Sequence, residues 1–157
     1  MRRLTVLLAA VLILLLGFVG WFYFGGTLRA QVYIRTVGAD EAPQAYEAVR
    51  ELPLSGSAPQ VFEGAVLPAN PEDCTLVDIT VTLANRGLFP AEWLDMRADA
   101  AEGDIAVYAL TGEGTDIPAR SSGQVNLKLI TTARPDAERD IVIQYYVHGM
   151  KREITVR

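Results

Sequence analysis

Apolar residues fill positions 4–24, LTVLLAAVLILLLGFVGWFYF, without a single charge. Coiled as a helix at about 1.5 Å per residue, a run of this length reaches roughly 30 Å, the thickness of a bilayer's hydrocarbon core. The pattern therefore predicts a membrane-spanning helix. Leu, Val and Ile dominate its middle, and Trp21, Phe22, Tyr23 and Phe24 gather at its far end, where amphipathic rings suit the headgroup boundary.

Beyond residue 26 the period changes. Residues 30–37, AQVYIRTV, alternate well enough for a first strand, and residues 75–85, TLVDITVTLAN, alternate best of all. There Val77, Ile79, Val81 and Leu83 interleave with Asp78, Thr80, Thr82 and Ala84, the signature of a strand with one buried face. Further strands are expected at 91–98, 105–110, 123–132, 140–147 and 150–156, with a weaker one at 61–67. Between the last pair, His148-Gly149 is a two-residue connection suited to a primed turn. Asn85-Arg86-Gly87 ends the strongest strand, with Gly87 free to take positive φ. Residues 41–52 depart from this rhythm: Ala42, Tyr46 and Val49 fall at helical spacing, Asp40 can cap and Pro43 suits a first turn. Many short strands without a βαβ alternation predict a mainly β fold, an antiparallel sandwich preceded by one transmembrane helix. The expected division is 1–26 for a cytoplasmic tip and anchor and 27–157 for one extracytoplasmic sandwich.

A cleaved secretory signal also starts with basic residues and an apolar core, but such cores run about 7–15 residues and this one is longer. Leu28-Arg29-Ala30 and Gly25-Gly26-Thr27 make poor small-x-small cleavage sites, so a retained signal-anchor is the better reading, with the N-terminus inside. Gly17 and Gly20 are three apart, which leaves no G-x-x-x-G pairing face.

Charge narrows the partners. Removing Arg2 and Arg3 from the 14 basic side chains leaves 12 against 19 acidic ones, net −7 outside the anchor. That balance excludes a nucleic-acid surface, which needs clustered Lys and Arg. Cys74 is the single cysteine, so no internal disulfide is possible and the fold must rest on its own core.

The VDITVTLANRG strand and turn, the Ile117-Pro118-Ala119 and Gly123 approach to VNLKL, and the terminal IVIQYYVHG hairpin resemble small immunoglobulin-like or fibronectin type III-like modules of bacterial envelope proteins, including the cell-adhesion-related and FxLYD-like families. The likeness spans residues 76–156. The FxLYD motif itself and a Cys…Trp…Cys core signature are absent. What the resemblance implies is a binding or spacing module, a fold that hosts many functions.

Catalytic chemistry finds little footing. His148 is the single histidine and sits in the hairpin turn; Ser121 and Ser122 lack a G-x-S-x-G context. No enzymatic activity and no cofactor are expected. Asp95, Asp99, Glu102 and Asp104 are the one carboxylate cluster that could serve a hard cation such as calcium, although their spacing matches no known loop and a solvated acidic turn is the plainer reading. Leu88, Phe89, Trp93 and Tyr146 are the candidate recognition patch, since exposed aromatics suit interface centres. For Trp93 burial in the core is the stronger expectation, because a small sandwich without a disulfide needs its large rings inside. Tyr145 and Tyr146 must face opposite ways, one inward and one outward. The expected function is that of a membrane-anchored interaction or accessory module held to the bilayer by residues 4–24 and docking an envelope protein; the alternative is a glycan- or small-ligand-binding module built on exposed aromatics.

Overall fold

Two antiparallel sheets face each other in the computed structural model, which describes residues 2–24, 28–44, 46–47, 49–50, 58–62, 68–99, 101–134 and 137–157. Helix α1 (Arg2–Phe24) comes first. Its stretch Arg3–Trp21 is long and apolar enough to cross a membrane, and none of it is buried by the rest of the protein.

The larger sheet contains β1 (Leu28–Gly38), β2 (Gln60–Val61), β3 (Thr75–Asn85), β5 (Asp104–Thr111) and β6 (Ser122–Thr131), in the order β1-β3-β6-β5-β2. The smaller contains β4 (Glu92–Ala98), β7 (Ile141–Val147) and β8 (Met150–Val156), in the order β4-β7-β8. Alternation decides which side chains enter the space between them. Val77, Ile79, Val81 and Leu83 of β3 and Val125, Leu127 and Leu129 of β6 meet Leu94, Met96 and Ala98 of β4 and Ile141, Ile143, Tyr145 and Val147 of β7. The expected antiparallel sandwich is thus present, with most strand bounds within a residue or two. The strand anticipated at 61–67 is seen only as Gln60–Val61; residues 63–67 lie outside the described part.

A second, smaller core sits on the outer surface of the large sheet. Residues 43–44, 46–47 and 49–50 are helical, as the 3.6 spacing predicts, and they carry Tyr46 and Val49 against Cys74, Leu76, Ile105, Ala106 and Ile130. The Tyr46 hydroxyl donates to the Pro68 carbonyl at 2.6 Å, which satisfies it while its ring is buried. Cys74 is buried here, and burial, reinforced by Asp73, pushes its thiol pKa up, so it stays protonated and behaves as a small hydrophobe.

Two turns close one end of the sandwich. His148 (φ 53°) and Gly149 (φ 72°) both take positive φ, the geometry of the primed turn expected between β7 and β8. The Gly87 N–H donates to the Asn85 side-chain oxygen at 2.9 Å, an Asx turn that reverses the chain. The buried Asn85 amide also donates to the carbonyls of Phe89 (2.8 Å), Ile117 (3.0 Å) and Pro118 (3.2 Å), locking the β3–β4 loop to the β5–β6 loop.

At the opposite end lies a buried ion pair. Arg139 donates from Nη2 to Asp104 Oδ1 at 2.7 Å and from Nε to Oδ2 at 2.9 Å, a two-pronged contact with both side chains almost wholly enclosed. Ala101 N–H donates to the same carboxylate, and Arg139 Nη1 donates to the Ala137 carbonyl. These bonds offset the desolvation of the two charges.

Candidate binding surface

Strand β4 is an edge strand of the smaller sheet, and its pairing with β7 slips between Glu92 and Asp95. The slip is a β-bulge, which re-aims the side chain it carries. Leu94, Met96 and Ala98 keep the inward phase, and Trp93 falls out of it with φ 52° and 71% of its surface exposed. This corrects the expectation that Trp93 fills the core: Leu94, Met96 and Ala98 hold the inward positions of the strand, so alternation leaves the indole on the outer side, at the irregular stretch between Glu92 and Asp95. A bulky residue at positive φ costs of order 1–3 kcal/mol and persists only where surrounding structure enforces it.

The enforcing structure is the β5–β6 loop. Leu94 N–H donates to the Thr115 carbonyl (3.2 Å), Gly114 N–H to the Leu94 carbonyl (2.7 Å), and Ala91 and Ile117 exchange a bond in each direction (2.9 and 2.8 Å). Trp93 N–H itself donates to Asp116 Oδ1 at 3.0 Å. Gly112 lets this loop leave β5: at φ 87° a Cβ there would meet the Gln124 carbonyl at 2.6 Å.

The loop also brings carboxylates beside the indole. Glu113 has its pKa raised, first by burial and then by a hydrogen bond with Asp95 and the Asp95 charge. Asp116 at the Trp93 backbone and the Asp95–Glu113 pair on the same strand and loop thus make this part of the surface acidic, a setting that attracts cationic or hydroxyl-rich groups.

The other patch candidates divide. Leu88 is 44% exposed and Tyr146 38%. Tyr146 lies opposite Glu92 and Lys151 on the outer face of the small sheet, and Tyr145 points inward, the split expected from alternation. Phe89 is half-buried against the core, its ring edge-on to His148 with centroids 3.8 Å apart. Leu88 and Trp93 are thus the exposed apolar residues at either end of a segment whose Ala91 is buried; Phe89 is chiefly a packing residue.

Asp95, Asp99, Glu102 and Asp104 do not converge. Asp104 is committed to Arg139, Asp95 to Glu113, and Asp99 and Glu102 are exposed. Among the described residues no group of three His, Cys, Asp or Glu side chains could hold a metal ion. Sequence pattern gives no signal for the pairing of Asp95 on β4 with Glu113 in the β5–β6 loop, nor for the role of Asp116, whose loop position carries no periodicity.

No family model matches the chain. No curated protein matches it either. Among solved structures, a Northeast Structural Genomics Consortium target is similar over 83% of this chain and 82% of its own, at 15% identity and TM-score 0.46. A Bordetella pertussis protein assigned provisionally as ApaA is similar over 84% and 89%, at 13% identity and TM-score 0.45. An uncharacterised β-sandwich protein of Clostridium difficile is similar over 83% and 85%, at 9% identity and TM-score 0.31.

Proposed function

We propose that this chain is a single-pass membrane protein, N-terminus inside, whose immunoglobulin-like sandwich lies outside the cytoplasm and acts without catalysis as an interaction or accessory module, docking a protein partner of the cell envelope through the surface around Trp93. The observation that carries this reading is the exposed indole at φ 52°, held outward by a bulge and by backbone bonds to the neighbouring loop. A fold that maintains local strain to present an apolar ring to water gains nothing in stability from it, and an interface recovers the cost. Leu88 and Tyr146 extend the apolar area, and Asp95, Glu113 and Asp116 select a partner carrying basic side chains. The anchoring half of the reading is supported by the length and apolarity of Arg3–Trp21.

The test is co-purification from solubilised membranes with the full chain and with Trp93→Ala. The account expects a defined partner with the former and its loss with the latter. Repeated recovery of the full chain alone contradicts it.

The carboxylates beside the indole favour one second reading, a glycan-binding module in which Trp93 stacks on a sugar ring and Asp95 and Glu113 accept its hydroxyls. Quenching or shifting of Trp93 fluorescence by oligosaccharides, measured with Trp21→Phe to remove the other indole, distinguishes the two.

A further inference from the structure

The register of the large sheet places three arginines at the end of the sandwich where the chain leaves α1. Leu28 pairs with Asn85, so the start of β1 lies beside the end of β3. The β3–β4 loop, the β5–β6 loop and the β7–β8 turn all close at this same end. Three residues separate Phe24 from Leu28. At about 3.6 Å per residue at most, that chain spans no more than roughly 14 Å.

An open cleft of about 480 Å³ occupies this end, lined by Ala84, Asn85, Arg86, Arg120, Ser121 and Ser122. Ala84 lies between Arg29 and Ser122 in the sheet register, so the three share one face, and the short alanine leaves room between the longer side chains. Arg86, Arg120 and Arg29 are exposed, and among the described residues none of them has a carboxylate partner. Arg120 is held at φ 56°, a left-handed non-glycine position like Trp93 and His148. The Ser121 hydroxyl is committed to the Pro118 carbonyl at 2.8 Å, while no bond is formed by that of Ser122 among the described residues. Two unneutralised guanidinium groups and a hydroxyl line the open cleft, and Arg29 stands beside it in register with Ala84; in a domain of net charge −7, this cluster suits a phosphate oxyanion.

We infer that Arg29, Arg86 and Arg120 bind the phosphate headgroups of anionic phospholipids in the leaflet that α1 leaves, and so seat the sandwich on the membrane with Trp93 at its side. The inference rests on α1 being a retained anchor. The otherwise acidic surface is repelled by an anionic bilayer, which makes this end the one that faces it.

The full chain reconstituted in nanodiscs of phosphatidylcholine, or of phosphatidylcholine with phosphatidylglycerol, tests this by amide hydrogen exchange across residues 86–90 and 119–122. Phosphatidylglycerol should slow exchange there, and Arg86→Gln and Arg120→Gln should each cut that slowing by about fivefold, the scale of one basic side chain at an anionic surface. Arg134→Gln, in the exposed loop at the other end, should change nothing. Equal exchange in both lipids with the chain in the disc overturns the inference and leaves the anchor reading intact. A chain that elutes apart from the discs overturns the anchor reading and the inference with it. Equal slowing by soluble glycerol phosphate in phosphatidylcholine discs overturns the lipid assignment in favour of a free phosphate ester.

Discussion

The Leu28 backbone N–H donates to the Tyr145 hydroxyl at 3.2 Å, across 117 residues of chain and from one sheet to the other. Tyr145 is 1% exposed and Leu28 5%, so the first residue of β1 is tied into the core at the point where the chain emerges from α1. Any displacement of the start of β1 therefore has to break a bond within the core.

Tyr145→Phe keeps the ring and removes the acceptor, leaving a buried N–H unsatisfied. The expected cost is about 1–3 kcal/mol in equilibrium unfolding of the full chain in detergent. Exchange of the Leu28 amide should rise more than that of the β3 amides.

Arg139→Met leaves the Asp104 carboxylate buried without its counter-charge and should cost about 3–5 kcal/mol by urea denaturation. Adding Asp104→Leu should recover a large part of the loss, because two apolar groups need no desolvation offset. A single variant as mild as the double one would show that water reaches the pair.

Trp93→Gly removes a left-handed bulky residue and forfeits little burial. Relief of strain, of order 1–3 kcal/mol, outweighs the extra freedom that glycine adds to the unfolded chain, about 0.4–1 kcal/mol. The variant should therefore match or exceed the parent in thermal stability while losing the partner. A marked loss of stability would mean that the indole is structural.

Glu113 has its folded pKa raised, by burial and by Asp95. Between its unfolded and folded values the native state holds more protons, so stability declines as pH rises through that window. Glu113→Gln should abolish this decline, with a gain over the parent that grows from acid to neutral pH and stays below about 1 kcal/mol, since both carboxyls are exposed to water. Asp140 runs the other way: its hydrogen bond to Arg157 lowers its pKa, so its contribution exists above the unfolded value and is lost as pH falls. Arg157→Gln should flatten that acid limb. Binding of a basic partner should strengthen as Glu113 ionises.

Period made most of the fold legible. Val77, Ile79, Val81 and Leu83 announce both the strand and the face it buries, and Ala42, Tyr46 and Val49 announce a helix on a different surface. Size points Trp93 inward but phase points it outward: Leu94, Met96 and Ala98 set the inward positions, and Trp93 shares the alternate phase with Asp95 and Arg97. The Arg139–Asp104 pair is separated by 35 residues, and Arg29, Arg86 and Arg120 come from three separate segments. Pattern along one segment cannot reveal such meetings, because they depend on sheet order and on which loops close at the same end.

Whether a partner docks at Trp93 is read by site-specific photo-crosslinking in intact membranes, with the reactive group placed at position 93 and, as control, at position 128 on the outer face of the large sheet. The account predicts one discrete adduct from position 93, none from position 128, and loss of the adduct when Asp95 and Glu113 are changed to Asn and Gln. No adduct from position 93, or the same adducts from both positions, would contradict it.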